Sequence, residues 1–288
     1  MGSGLYDAAF STLGWLYGEE ARRPITALTL WGGFASTVCW PFSAYLVETL
    51  GWRETCLVYA GLHLLVSLPL HAFALPRLRI GNIDPPLNAI IGHDFPDTPP
   101  SASHHPWLFP LLATLVTLGS CIVSITGIHL LTILQARDVA LATAVALGAL
   151  IGPSQVGARV IEMLFGSRYH PIWTMAASTV LMTAGLAVLS TSVPLVAIGL
   201  IVYGAGVGIQ SIARGTLPLA LFGKSDYAIV MGRLAMPALI AQSVSPTLAA
   251  YLMQAAGISA TLATLTGLAL ANIALVALLW RISRRSRD

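Results

Sequence analysis

Read for apolar and polar positions, the chain is a series of long apolar runs at about residues 25 to 50, 55 to 75, 107 to 134, 139 to 164, 172 to 191, 194 to 222, 228 to 254 and 259 to 280. A helix rises about 1.5 Å per residue, so about 20 residues cross a hydrocarbon core about 30 Å thick. The runs have that length and few charges. They lack the strict polar/apolar alternation of a membrane β-barrel, and helices are the other structure that pairs every backbone group within lipid. Residues 1 to 17 form a shorter apolar stub with two glycines and an acid, closed by a charged turn at 18 to 24. The pattern predicts eight crossings and one incomplete one. The breaks are short and carry Gly, Pro, Ser or charges, as tight turns between antiparallel neighbours do. No cleavable signal precedes the first run, so the chain is expected to begin inside a helix.

Residues 76 to 106 are the one long connection, rich in Pro, Asp and His, and cannot bury enough apolar surface to fold alone. The expected division is a partial bundle at 1–75 (half a helix plus two), a linker at 76–106, a six-helix bundle at 107–280 and a basic tail at 281–288. Assigning the turns alternately to the two sides places Arg22, Arg23, Arg77, Arg79, Arg168, Lys224, Arg281, Arg284, Arg285 and Arg287 on one side, and Arg53 and Arg137 on the other. That bias puts the linker and the C-terminus in the cytoplasm.

Composition removes the soluble alternative. Hydrophobic residues make up 56% of the chain and charged residues 9%, with a mean hydropathy of +0.78, whereas soluble domains are about a quarter charged. Cys39, Cys56 and Cys121 show no CxxC spacing and read as small packing residues. Phosphate-binding, zinc-protease and serine-hydrolase motifs are absent, so no enzyme, cofactor or nucleic-acid partner is expected. The linker's His93, Asp94, Asp97, His104 and His105 are separated by prolines and serines that fix no ligand geometry, which makes a metal site the weaker reading.

The stretch 203–251, two apolar runs around a charged turn, echoes the opening of the chain. Gly2, Gly4 and Leu13 match Gly206, Gly208 and Leu217, and Gly18 matches Gly223. Ala44, Tyr45, Leu46 and Gly51 match Ala250, Tyr251, Leu252 and Gly257. Such a repeat marks a transporter built from two related halves. Two bundles repeated in parallel around a cytoplasmic linker resemble the major facilitator superfamily. Residues 2–53 look like that family's fourth helix, fourth loop and fifth helix, and residues 206–252 like its tenth and eleventh. Gly157, Arg159, Gly166 and Arg168 resemble its gating motif, with Ala158 where an Asp is usual. The run at 32–42, with Trp40 before Pro41, resembles the glycine-proline motif of its exporters. The resemblance implies an all-α polytopic membrane protein, an MFS-type helical bundle with an incomplete N-terminal half and a complete six-helix C-terminal half. About helix 4 through helix 12 would be present.

A charge within a crossing costs at least ~2.5 kcal/mol, which makes each a site candidate. Asp7, with Ser3 and Ser11 on the same helix face, either lines a pathway and binds a proton or a cationic group, or pairs with a neighbouring arginine or helix end. Gln210 and Arg214 share a face of the matching helix. Arg214 is either an anion anchor, a counter-ion of Asp7, or a snorkelling side chain. Arg159 and Glu162, spaced to pair with each other, read with Arg168 as a cytoplasmic gate, the alternative being a substrate contact, and Arg233 either snorkels or belongs to the same gate. Thr117, Ser124, His129 and Gln155 complete the candidate lining; His129 either relays protons or bonds a neighbouring carbonyl. The leading reading is a secondary active transporter that moves a small solute by alternating access, proton-coupled and directed to efflux, in the inner (plasma) membrane of a bacterium. The alternatives are a non-transporting membrane fragment or assembly subunit, and an intramembrane enzyme using the histidines.

Overall fold

The computed structural model describes residues 2–74, 106–191 and 195–285, and among them every regular element is a helix. In order these are α1 (Gly2–Tyr17), a 3-10 turn (Gly18–Ala21), α2 (Arg22–Leu50), α3 (Trp52–Leu62), a π-helical turn (His63–Ser67) and α4 (Leu68–Ala74). After the linker come α5 (Leu108–Gln135), α6 (Leu141–Gly148), α7 (Ile151–Phe165), a 3-10 turn (Gly166–Arg168), α8 (Pro171–Leu189) and α9 (Val196–Arg285). The predicted run at 139–164 is thus two helices in line. Pro153 has no N–H to close the ladder onto residue 149, and the chain turns at 149–150.

Helix α9 is 90 residues long and is broken at Gly223 (φ 75°, ψ 179°) and Gly257 (φ 83°, ψ 174°) into three legs at 196–222, 224–256 and 258–285. The breaks fall where the apolar runs pause. Among the described residues, five stretches are long and apolar enough to cross a membrane: Leu108–Gln135, Leu141–Phe165, Pro171–Leu189, Val196–Lys224 and Asp226–Arg284. The last is divided at Gly257, giving the six helices expected after the linker. The chain is an integral membrane protein. The helices before the linker fall outside those five stretches.

The repeat is written in the backbone. The glycines with positive φ among the described residues are Gly18, Gly51, Gly223 and Gly257, which are the two pairs the sequence repeat matches. Gly51 (φ 85°, ψ 169°) and Gly257 adopt nearly the same conformation, one that side-chain-bearing residues rarely enter.

Contacts divide the chain into two compact units, residues 1–34 with 100–288, and residues 35–99. The division falls inside α2. In the smaller unit, the Ser43 and Tyr59 hydroxyls lie 2.6 Å apart and the Tyr59 ring meets Phe42 edge-on. In the larger unit the apolar core has two layers. One gathers Leu108, Leu112, Ile172, Leu217, Val230 and Leu279 near the basic helix ends, and the other gathers Ile125, Leu134, Leu186, Leu200, Ala249 and Leu265 toward the opposite ends. Between them lie polar residues of three helices: Ser120 from α5, Ser178 from α8, and Gln210, Gln242 and Asn272 from the legs of α9. A third cluster, Phe10, Ala21, Ile25, Leu219, Tyr227 and Met231, packs α1 and the start of α2 on α9.

Close helix approach depends on glycine. A Cβ at Gly208 would stand 2.6 Å from the Gln155 carbonyl oxygen and 2.8 Å from its Cα, and one at Gly204, a turn earlier, would crowd Ile151. The first leg of α9 therefore lies on α7 through an i, i+4 glycine pair, while Gly206 meets α8 at Met182 and Ser178. Because backbone atoms cannot yield, Gly208→Ala should destabilise the protein by about 1–3 kcal/mol. Gly232→Ala, with open space around its Cβ, should not. Thermal unfolding of both variants in detergent, followed by tryptophan fluorescence, checks the contrast.

Candidate functional site

The polar middle layer of the larger unit borders an open cavity of about 450 Å3. Its walls come from α1 (Tyr6, Phe10), α5 (Ser120, Ser124), α7 (Arg159) and the first two legs of α9 (Gln210, Ser211, Arg214, Gln242). Gln210 and Arg214 reach it from one helix face, as their spacing predicts. Gln210 lies against Gly119, where a Cβ would strike its amide nitrogen. Ser211 donates to the Gly208 carbonyl at 2.7 Å.

Arg159 is the most constrained member, with 5% of its surface exposed. Its Nη1 donates to the Thr29 carbonyl at 2.7 Å, Nε to the Gly208 carbonyl at 3.2 Å and Nη2 to Gln155 Oε1 at 3.3 Å. Three elements (α2, α9 and its own α7) hold this one cation. The small residues around it explain the access: a Cβ at Gly33 would collide with the guanidinium, and one at Gly32 with the Tyr6 hydroxyl. The glycines of the run at 32–42 therefore have a local packing role.

The expected Arg159–Glu162 pair does not form, which corrects the sequence reading. An i, i+3 spacing permits contact but does not fix rotamers, and each side chain finds a stronger partner elsewhere. Glu162 Oε1 accepts from Arg22 Nη2 at 2.9 Å and from Thr174 Oγ1 at 2.8 Å, while Arg22 also donates to Thr174 at 3.1 Å and to the Tyr169 carbonyl. This ion pair joins the start of α2 to the ends of α7 and α8. Arg168 stacks over Phe165, 5.9 Å from its centroid, and Arg233 is exposed.

Ser124 and His129 lie on α5 and face the second leg of α9, where Pro246 removes an N–H. The Gln242 carbonyl freed by that proline accepts from Ser124 Oγ at 2.9 Å, and the Pro246 carbonyl accepts from His129 Nε2 at 2.9 Å. His129 thus adopts the carbonyl-bonding alternative and is not among the residues lining the cavity. Thr117 does not line it either. Gln155 contacts it through Arg159. Ser11 is half-buried on α1. The side chains of Ser3 and Asp7 lie outside the described residues, as do the linker's His93, Asp94, Asp97, His104 and His105. Among the described residues there is no cluster of three or more metal-ligating side chains. Sequence reading missed Tyr6, Phe10, Ser120 and Gln242 as lining, and Arg22 as the partner of Glu162. The only available signal was for Gln242, which sits four residues before Pro246.

No known family profile matches the chain, and no curated relative does. Among solved structures it is similar to the crystal structure of the human organic anion transporter MFSD10 (TETRAN), with a TM-score of 0.50 and 19% identity over 58% of this chain and 40% of that one. The likeness shows the fold, a helical bundle of the major facilitator type. The chain spans less than half the length of the structure it matches.

If Ser124 compensates the proline break, Ser124→Ala should cost about 0.6–2 kcal/mol. The cost should shrink in a Pro246→Ala background, where a backbone N–H returns to Gln242. A double-mutant cycle on thermal stability measures this coupling.

Proposed function

We propose that the chain forms the solute pathway of a secondary active transporter, moving a small solute across the membrane by alternating access. The observation that carries this reading is the cavity between two apolar layers of a major-facilitator bundle, lined by Arg159, Arg214, Gln210 and Gln242. Hydrocarbon rejects charges, so the N–H groups of Arg159 that its three protein partners leave over, beside a cavity of ligand size, suit a guest or water. Under this reading the basic helix ends, the linker and the C-terminus face the cytoplasm of a bacterial inner membrane. The Trp173–Trp280 pair, with Arg284 4.2 Å above Trp280, supports an interfacial position for that end. The Arg22–Glu162–Thr174 cluster acts as the gate on that side, closed when made and parting as the helices rock; Arg168 and Arg233 add positive charge nearby. Asp7, one residue from Tyr6 of the cavity wall, carries the coupled proton, with Ser3 and Ser11 on its helix face. Transport runs outward. The reading assigns the chain no catalytic step and no cofactor.

Purified protein in proteoliposomes, given a pH gradient and a panel of labelled small organic solutes, tests this. The expected result is a solute flux that collapses when a protonophore removes the gradient, is lost in Asp7→Asn, and is accompanied by proton movement of the opposite sense. Absence of any gradient-dependent flux for cationic, neutral and anionic solutes alike would leave the chain a non-transporting membrane component.

A further inference from the structure

The direction in which Arg159 points identifies what the cavity binds. Arg159 stands about two turns from the end of α7 at Phe165. A guanidinium with only anchoring to do would snorkel toward that end and its water. Instead it turns inward to the Gly208 carbonyl, near the middle of the Val196–Lys224 stretch. The partners that hold it there, Thr29 O, Gly208 O and Gln155 Oε1, are all neutral. They orient the charge without cancelling it. A guanidinium has five N–H donors, and these three bonds leave two for a guest.

The rest of the wall fits an anion with an apolar body. Among the described lining residues there is no carboxylate. Tyr6, Phe10, Val116, Val123, Met175 and Val207 supply apolar surface beside these polar groups. A volume of about 450 Å3 lies within the range of small-molecule sites, about 300–1,000 Å3. A planar guanidinium fork matches the two oxygens of a carboxylate, which a lysine ammonium would hold only as a point charge.

We infer that the cavity is a binding site for small organic carboxylates, with Arg159 taking the carboxylate head and the aromatic and aliphatic wall taking the body. The inference rests on the transporter reading for its biological use, but binding itself requires no transport. Arg159 is thereby a substrate-binding residue, where its sequence context suggested a gate.

Equilibrium binding to the full chain in nanodiscs, read by tryptophan fluorescence and calorimetry, tests the inference. The probes are 1-naphthoate, benzoate and decanoate, with 1-naphthamide as the neutral isostere of the first. At least one carboxylate should bind saturably, and 1-naphthoate at least about tenfold more tightly than 1-naphthamide. Arg159→Gln should abolish that preference, and Arg159→Lys should retain only part of it. Should Arg159→Gln fail to fold, Val123→Trp fills the cavity while leaving Arg159 in place, and should weaken carboxylate binding by at least about tenfold. Equal binding of naphthoate and naphthamide, no saturable binding of any of the three carboxylates, or binding unchanged by both the charge-removing and the cavity-filling variants would overturn the inference. Carboxylate binding without flux would uphold it and contradict the transporter reading. Flux of neutral or cationic solutes without carboxylate binding would do the reverse.

Discussion

A guanidinium left in hydrocarbon drags water in or forces its helix out, and the arrangement around Arg159 is this bundle's answer to that constraint. Its hydrogen bonds end on two main-chain carbonyls and one side-chain amide, drawn from α2, α7 and α9. Helical carbonyls already accept within their own ladder but keep a second lone pair, so they can hold a cation without the helix unwinding. The Gly208 carbonyl is reachable because residue 208 has no side chain, and room for the guanidinium exists because residue 33 has none. The charge thus accounts for Gly33 in α2, and it uses the close approach of α7 and α9 that Gly208 permits. It also ties the opening segment to the later bundle at the depth where the cavity lies.

Other features follow from the same shortage of water. Pro246 would leave the Gln242 carbonyl unpaired, and Ser124 from the neighbouring helix supplies the donor. On the side of the basic helix ends, Arg22 and Glu162 neutralise each other, with Thr174 shared between them. Toward the opposite ends, Arg137 donates to the Leu189 and Thr191 carbonyls, which the end of α8 leaves without helical partners. A residue that has lost its water has been given a named protein partner in each case. In the middle layer such groups border a cavity as well.

Much of this was legible in the chain, and for one reason: lipid permits few solutions. Apolar run lengths located the helices and predicted the breaks at Gly223 and Gly257. The weak echo between residues 2–51 and 206–257 marked the four glycines that take positive φ. Helical spacing placed Gln210 and Arg214 on one face, and both do line the cavity. Periodicity cannot say which of several neighbours a long side chain will choose. Arg159 and Glu162 were near enough in sequence to pair, and only the approach of α2 and α9 offered them the partners they take. The in-line break at 149–150 was hidden because the run stays apolar through it. Tyr6, Phe10 and Ser120 carried no local signal as lining, since an aromatic or a serine in a membrane helix packs against a neighbour far more often than it faces a cavity.

Thiol accessibility tests the central claim, that the middle of this bundle is a water-accessible cavity bordered by inward-turned charges. With Cys39, Cys56 and Cys121 replaced by Ala, single cysteines would be introduced at Gly127, a cavity position with open space around its Cβ, and at Ile240, an outward-facing residue of α9. A charged, water-soluble thiol reagent needs the thiolate, which forms in water and not among acyl chains. The account predicts labelling at Gly127→Cys, slowed by 1-naphthoate, and none on the same timescale at Ile240→Cys. Equal labelling of the two, or labelling at position 240 alone, would contradict it.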